Sequence, residues 1–228
     1  MGKSSRAVSP DFKLVNIILL TVYLLTSAAS LFYNIYIQSM YLVLLSVISL
    51  AAAVVPVILF KLIKKPVIEQ AVFLYYLFTY FALVIGSALQ GYDRFPALDK
   101  IMHFLSGFLF SVVGLALFYH LKADKAITAG DAPLATVFSQ AVNLSVACIW
   151  EFYEYIASTL LGTDIQHVLD TGVSDTMQDM LVCALGGLIT SLLIYYYIKK
   201  QRSSFLMRLF QSYYDHIINK EQNIQSAE

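Results

Sequence analysis

Six long apolar runs leave this chain few ways to fold: about Leu14–Phe32, Tyr41–Phe60, Ala71–Leu89, Ile101–Leu121, Leu134–Leu161 and Met180–Ile198. A helix needs roughly 20 mostly apolar residues to cross the hydrocarbon core of a bilayer. Inside lipid the backbone must satisfy its own hydrogen bonds, so each run is expected to be a helix. The predicted fold is therefore all-α, a polytopic bundle of about six transmembrane helices. Composition agrees: 59% of the residues are hydrophobic, 13% are charged, and the mean hydropathy is +0.70. Soluble domains run near 45–50% apolar and about 25% charged, so an ordinary soluble globule and a disordered chain are both excluded.

The first run follows Lys3, Arg6 and Lys13 and ends in small residues at Ser27–Ser30, as a signal peptide would. It is long enough to span and is read as a span. Residues 1–202 form one transmembrane domain in this reading, with its motifs in residues 93–187. In the tail, 203–228, Phe205–Ile218 alternates apolar and polar residues at helical spacing. It is predicted to be an amphipathic helix lying on the inner membrane surface. Cys148 and Cys183 sit in apolar runs and read as packing residues.

Lys and Arg set the orientation. With both termini cytoplasmic, 13 of the 15 basic residues lie inside, and only Arg94 and Lys100 lie outside. Fifteen Lys+Arg also balance 15 Asp+Glu, so no nucleic-acid partner is expected.

The acidic residues follow a different rule. Asp93, Asp99, Glu151, Glu154, Asp164, Asp170, Asp175 and Asp179 are eight of the 15 carboxylates, and all fall in the outer half. Asp99 and His103 are i,i+4, as are Asp175 and Asp179, and Glu151 and Glu154 are i,i+3, so each pair shares a helix face. The two glutamates lie deeper, about 11–16 Å along the fifth helix from Gly162 at 1.5 Å per residue. The last outer loop adds Asp164, His167 and Asp170. Carboxylates near lipid are costly unless protonated, paired or metal-bound, and the local basic residues are too few to pair them all. The candidate metal ligands are Asp99, His103, Asp175, Asp179, His167 and Asp170, and the candidate catalytic acid/base groups are Glu151 and Glu154. Mixed carboxylate and imidazole donors suit a divalent ion such as Zn²⁺, Mn²⁺ or Fe²⁺. Carboxylates at helix N-termini also favour the dipole, which is a purely structural use for Asp99, Asp175 and Asp179.

The run Asp99-Lys100-Ile101-Met102-His103-Phe104 resembles the DKxxHF signature of VanZ-like bacterial membrane proteins. A closer resemblance is to the YjdF-type family of bacterial inner-membrane proteins of unknown function. It rests on Trp150-Glu151-Phe152, Gly162-Thr163 and Asp175-Thr176-Met177-Gln178-Asp179-Met180. VanZ-like proteins usually carry Glu-x-x-Gln and a loop arginine. This chain has Glu151-x-x-Glu154 and no Lys or Arg from Gly162 to Asp179, which speaks against a glycopeptide-resistance role. The resemblance implies a multi-pass protein of the bacterial cell (inner) membrane, working on lipid or envelope material.

Three functions stay open at this point. One is a metal-dependent hydrolase or transferase acting on a membrane lipid or lipid-linked precursor. Another is a lipid, cation or proton-coupled transporter that uses Glu151 and Glu154. The third is a non-enzymatic partner in an envelope complex.

Overall fold

A proline decides the shape of the second span. Pro56 has no N–H to donate to the carbonyl four residues back, and its ring crowds that carbonyl. The structure, a computed structural model, is described over residues 12–62, 67–166, 168–202, 204, 206–208 and 210–215. In it the second apolar run is two helices, α2 (Met40–Ala52) and α3 (Val55–Leu62), bent by 41°. The released carbonyls find tyrosines: Tyr75 Oη donates to Ala52 O at 2.8 Å and Tyr76 Oη to Ala53 O at 3.1 Å. Five other helical stretches are long and apolar enough to span, so the described residues hold five spans, or six with the bent pair counted as one.

The contacts divide into two compact units, Met1–Phe95 and Pro96–Glu228. In the first, α1 (Phe12–Tyr36) packs against α2, against α4 (Glu69–Thr79) and against a π-helix, Tyr80–Ala88, that continues α4. A short helix, α5 (Gly91–Arg94), closes the unit. Its interior is unusually polar. Asn16, Tyr23, Ser27, Ser30 and Asn34 are buried along one face of α1, at spacings of seven, four, three and four residues. Asn34 Nδ2 donates to Ser46 Oγ at 2.9 Å and to Ala88 O at 3.0 Å, so one amide ties three elements together. Such bonds hold membrane helices where apolar burial supplies little drive.

The second unit is built on α6 (Pro96–Leu121), α7 (Ala132–Leu161) and α9 (Ser174–Lys200), which pack pairwise. Pro96 opens α6, where a missing N–H costs nothing. A capping box between Thr128 and Asp131 stands at the entry to α7. Gly162, at φ +65°, ends α7 in the left-handed conformation that glycine adopts freely. A one-turn helix, α8 (Val168–Thr171), follows; Asp164 caps it by accepting from Val168 N at 2.8 Å and Leu169 N at 3.0 Å.

Two glycines set how closely α6 and α9 approach. A Cβ on Gly107 would lie 2.3 Å from Cys183 O, and one on Gly186 would lie 2.2 Å from Phe104 O. The two backbones are in contact there, about one turn from His103.

The segment after α9 differs from its sequence reading. Residues 206–208 and 210–215 are helical, but Met207 (0% exposed) and Phe210 (3%) are buried with Leu115, Phe118, Tyr119, Ile194 and Ile198. Met207 and Phe210, expected to lie in lipid, are packed inside the unit instead. Contacts between His120 and Tyr213 and between Tyr197 and Gln211 fix the segment there. The rest of the tail, 216–228, lies outside the described residues.

Gly186→Ala should destabilise the protein by about 1–3 kcal/mol through overpacking. Its thermal unfolding midpoint in detergent should fall, while Gly130→Ala, whose nearest neighbour would be Thr128 Oγ1 at 3.7 Å, leaves the midpoint unchanged.

Candidate functional site

Helices α6 and α9 both begin at the same end of the second unit, and both carry carboxylates in their first turns. The free N–H groups and dipoles of the two N-termini favour negative charge there. Asp99 on α6 and Asp175 and Asp179 on α9 meet around Lys100. Lys100 Nζ lies 2.5 Å from Asp175 Oδ1, 2.7 Å from Asp179 Oδ1, 2.9 Å from Asp179 Oδ2 and 3.2 Å from Asp99 Oδ2. Asp179 is only 2% exposed, so its charge depends on these partners.

His103 stands one turn below Asp99 and is buried. Its Nε2 faces Asp99 Oδ1 at 3.6 Å and Asp179 Oδ1 at 3.9 Å. Both distances exceed a hydrogen bond. Ligand atoms of Asp99, His103 and Asp179 all fall within 4.8 Å of one another. Four donors about 2.1 Å from a tetrahedral ion sit roughly 3.4 Å apart, so the two His103 separations are close to that spacing. Among the described residues, this is the group of three or more His, Cys, Asp and Glu side chains with such convergence.

Glu151 comes from α7 and is 4% exposed. The loop after α7 turns back into the unit to meet it. Gln166, itself buried, donates from Nε2 to Glu151 O at 3.2 Å, to Glu151 Oε2 at 3.3 Å and to Thr176 Oγ1 at 3.2 Å. One side chain thus bridges α7 and α9. Glu151 Oε1 is buried and has no hydrogen-bond partner among the described residues. Below the cluster, Asn143 Nδ2 donates to Cys183 O at 3.1 Å, and Cys183 Sγ donates to Asn143 Oδ1 at 3.3 Å.

The remaining acidic and histidine candidates are not among the three converging groups. Glu154 is half-buried and accepts from Trp150 Nε1 at 2.8 Å on its own helix. Asp170 is exposed on α8, and Asp164 is occupied in capping α8. Asp175 holds Lys100 and is not one of the three converging ligand groups. His167 lies outside the described residues.

The whole of this geometry falls within a stretch shared with other proteins. A family described as predicted membrane protein (DUF2238) matches residues 17–200. The chain belongs to this family. It is the YjdF-type family that the motifs resemble. An uncharacterised protein of Thermotoga maritima is 24% identical over 125 residues, which is 55% of this chain and 60% of that relative. The chain therefore spans less than two thirds of the relative's length. No solved structure matches.

Two groups at the DUF2238 site escaped the sequence reading. Charge counting makes Lys100 one of two basic residues too few to pair the acids, yet it stands at the centre of three of them. A lysine followed directly by Ile101-Met102 on a membrane helix is itself expensive, and that cost was the available signal. Gln166 left no signal, because its role depends on a loop folding back.

Gln166→Leu should strand the Glu151 carboxylate and cost about 1–3 kcal/mol, the scale for a buried group left without its partner. Unfolding of the purified protein in detergent should show a lower midpoint, and Gln166→Glu should not restore it.

Proposed function

We propose that this DUF2238 protein is a metal-dependent hydrolase or transferase of the bacterial inner membrane, acting on a lipid or lipid-linked envelope substrate. The observation that carries this reading is the His103 ring. Its Nε2 faces two carboxylates at separations suited to shared ligation and too long for hydrogen bonding.

Asp99, His103 and Asp179 would hold the ion, and Zn²⁺, Mn²⁺ or Fe²⁺ all suit two carboxylates and an imidazole. A divalent ion bound there supplies positive charge to a phosphoryl or acyl oxygen and makes a neighbouring water more acidic. Glu151 offers a buried, unpartnered Oε1 and acts as general base in this reading, taking the proton of water or of an acceptor hydroxyl. Glu154, half-buried beside the exposed Trp150 and Tyr153, is in this reading the general acid that protonates the leaving group. The Lys/Arg asymmetry of the sequence turns the site toward the outer leaflet, where lipid headgroups and lipid-linked precursors are found.

The second reading is a lipid, cation or proton-coupled transporter, or a non-enzymatic envelope partner. It is favoured by the close Lys100 ion pairs, which neutralise part of the cluster without any metal.

Metal analysis separates the two. Protein purified in detergent should carry about one divalent ion per chain, and His103→Ala and Asp179→Asn should each lose it. Glu151→Gln should keep the ion and lose turnover of headgroup-labelled lipids in reconstituted vesicles by at least about 100-fold, the scale of general acid–base catalysis. Absence of metal from the wild-type protein after reloading with Zn²⁺, Mn²⁺ and Fe²⁺ would overturn the enzyme reading.

A further inference from the structure

The proposed metal set and Lys100 draw on the same two carboxylates and share one oxygen atom, Asp179 Oδ1. Asp179 Oδ1 lies 2.7 Å from Lys100 Nζ and 3.9 Å from His103 Nε2, and Asp99 places one oxygen toward each of them. Two cations cannot share Asp179 Oδ1 at bonding distance without strong repulsion. Asp175 differs: it touches Lys100 at 2.5 Å and lies outside the converging set.

We infer that Lys100 is a built-in competitor for the metal, and that loading the site moves its ammonium off Asp99 and Asp179 while Asp175 retains it. This rests on the metal reading given above and extends it to how the site is filled. The charges support it. Three carboxylates touch one ammonium, which leaves two negative charges with His103 neutral. A divalent ion cancels those two, provided that Lys100 remains beside Asp175. Ejecting Lys100 altogether would leave a negative charge uncompensated at a half-buried position, which is costly. Lys100 therefore holds the acidic cluster together when empty and sets the threshold of metal concentration at which it fills. Asp175, in turn, is the parking place for the ammonium and not a ligand.

The test is Mn²⁺ binding to the full-length protein in lipid nanodiscs, read from free Mn²⁺ by electron paramagnetic resonance. Lys100→Met should bind Mn²⁺ at least about tenfold more tightly than wild type, given the size of a unit-charge interaction over about 4 Å near a protein surface. Asp175→Asn should weaken binding in the wild-type background and change it much less in the Lys100→Met background. Such non-additivity is the mark of two residues acting through each other. As a readout that needs no substitution, acylation of Lys100 by a small amine-reactive ester should change when Mn²⁺ is added to wild type. This measurement also carries the test if Lys100→Met fails to fold.

Equal or weaker Mn²⁺ binding by a folded Lys100→Met, with wild type still binding, would overturn the competition and leave the metal site standing. An equal loss on Asp175→Asn in both backgrounds would make Asp175 a ligand and overturn its parking role. No binding of Mn²⁺ by wild type or by Lys100→Met would overturn this inference, and failure of Zn²⁺ and Fe²⁺ to bind as well would overturn the metal reading with it.

Discussion

Backbone contact between α6 and α9 is the constraint on which the second unit depends. At Gly107 and Gly186 neither helix has room for a Cβ, because carbonyl oxygens of the partner occupy that space. In a bilayer, apolar side chains gain little by leaving lipid for protein, so close packing of small residues must hold helices together. The contact also fixes a distance. Asp99, Lys100 and His103 sit one to two turns from Gly107, and Asp179 sits two turns from Gly186. If the helices stood further apart, Lys100 could not reach both α9 carboxylates, and Asp179 would be left buried without a counter-charge.

The cluster shows how a membrane protein gathers negative charge where water is scarce. Two helix N-termini supply partial positive charge, one lysine supplies a full charge, and a buried glutamine ties the neighbouring glutamate of α7 to α9. Each device is modest alone. Together they keep three aspartates within reach of one ammonium, with an imidazole beside them that none of them hydrogen-bonds.

Much of this was legible in the order of residues. Length and apolarity alone predict the spans, and i,i+4 spacing correctly pairs Asp99 with His103, because both signals are local. What was hidden depends on parts of the chain meeting. The break at Pro56 is visible as a proline, but its tolerance comes from Tyr75 and Tyr76, some twenty residues away, whose hydroxyls replace the lost donor. The seam of polar residues along α1 reads as scattered Asn and Ser until α2 and the π-helix supply Ser46 and the Ala88 carbonyl. Lys100 looked like one cation among too many acids because counting charges takes no account of position. Glu154 shows the limit of spacing alone: three residues from Glu151, it hydrogen-bonds to Trp150 on the same helix, a partner that no periodicity points to.

The segment after α9 also bears on the order of assembly. Met207 and Phe210 fill the space between the far ends of α6 and α9, against Leu115, Phe118 and Ile198. Both follow all three long helices in the chain, so the side chains that complete this core are the last of it to be made. Until they pack, the C-terminal ends of α6 and α9 border an unfilled gap, which this segment closes like a plug.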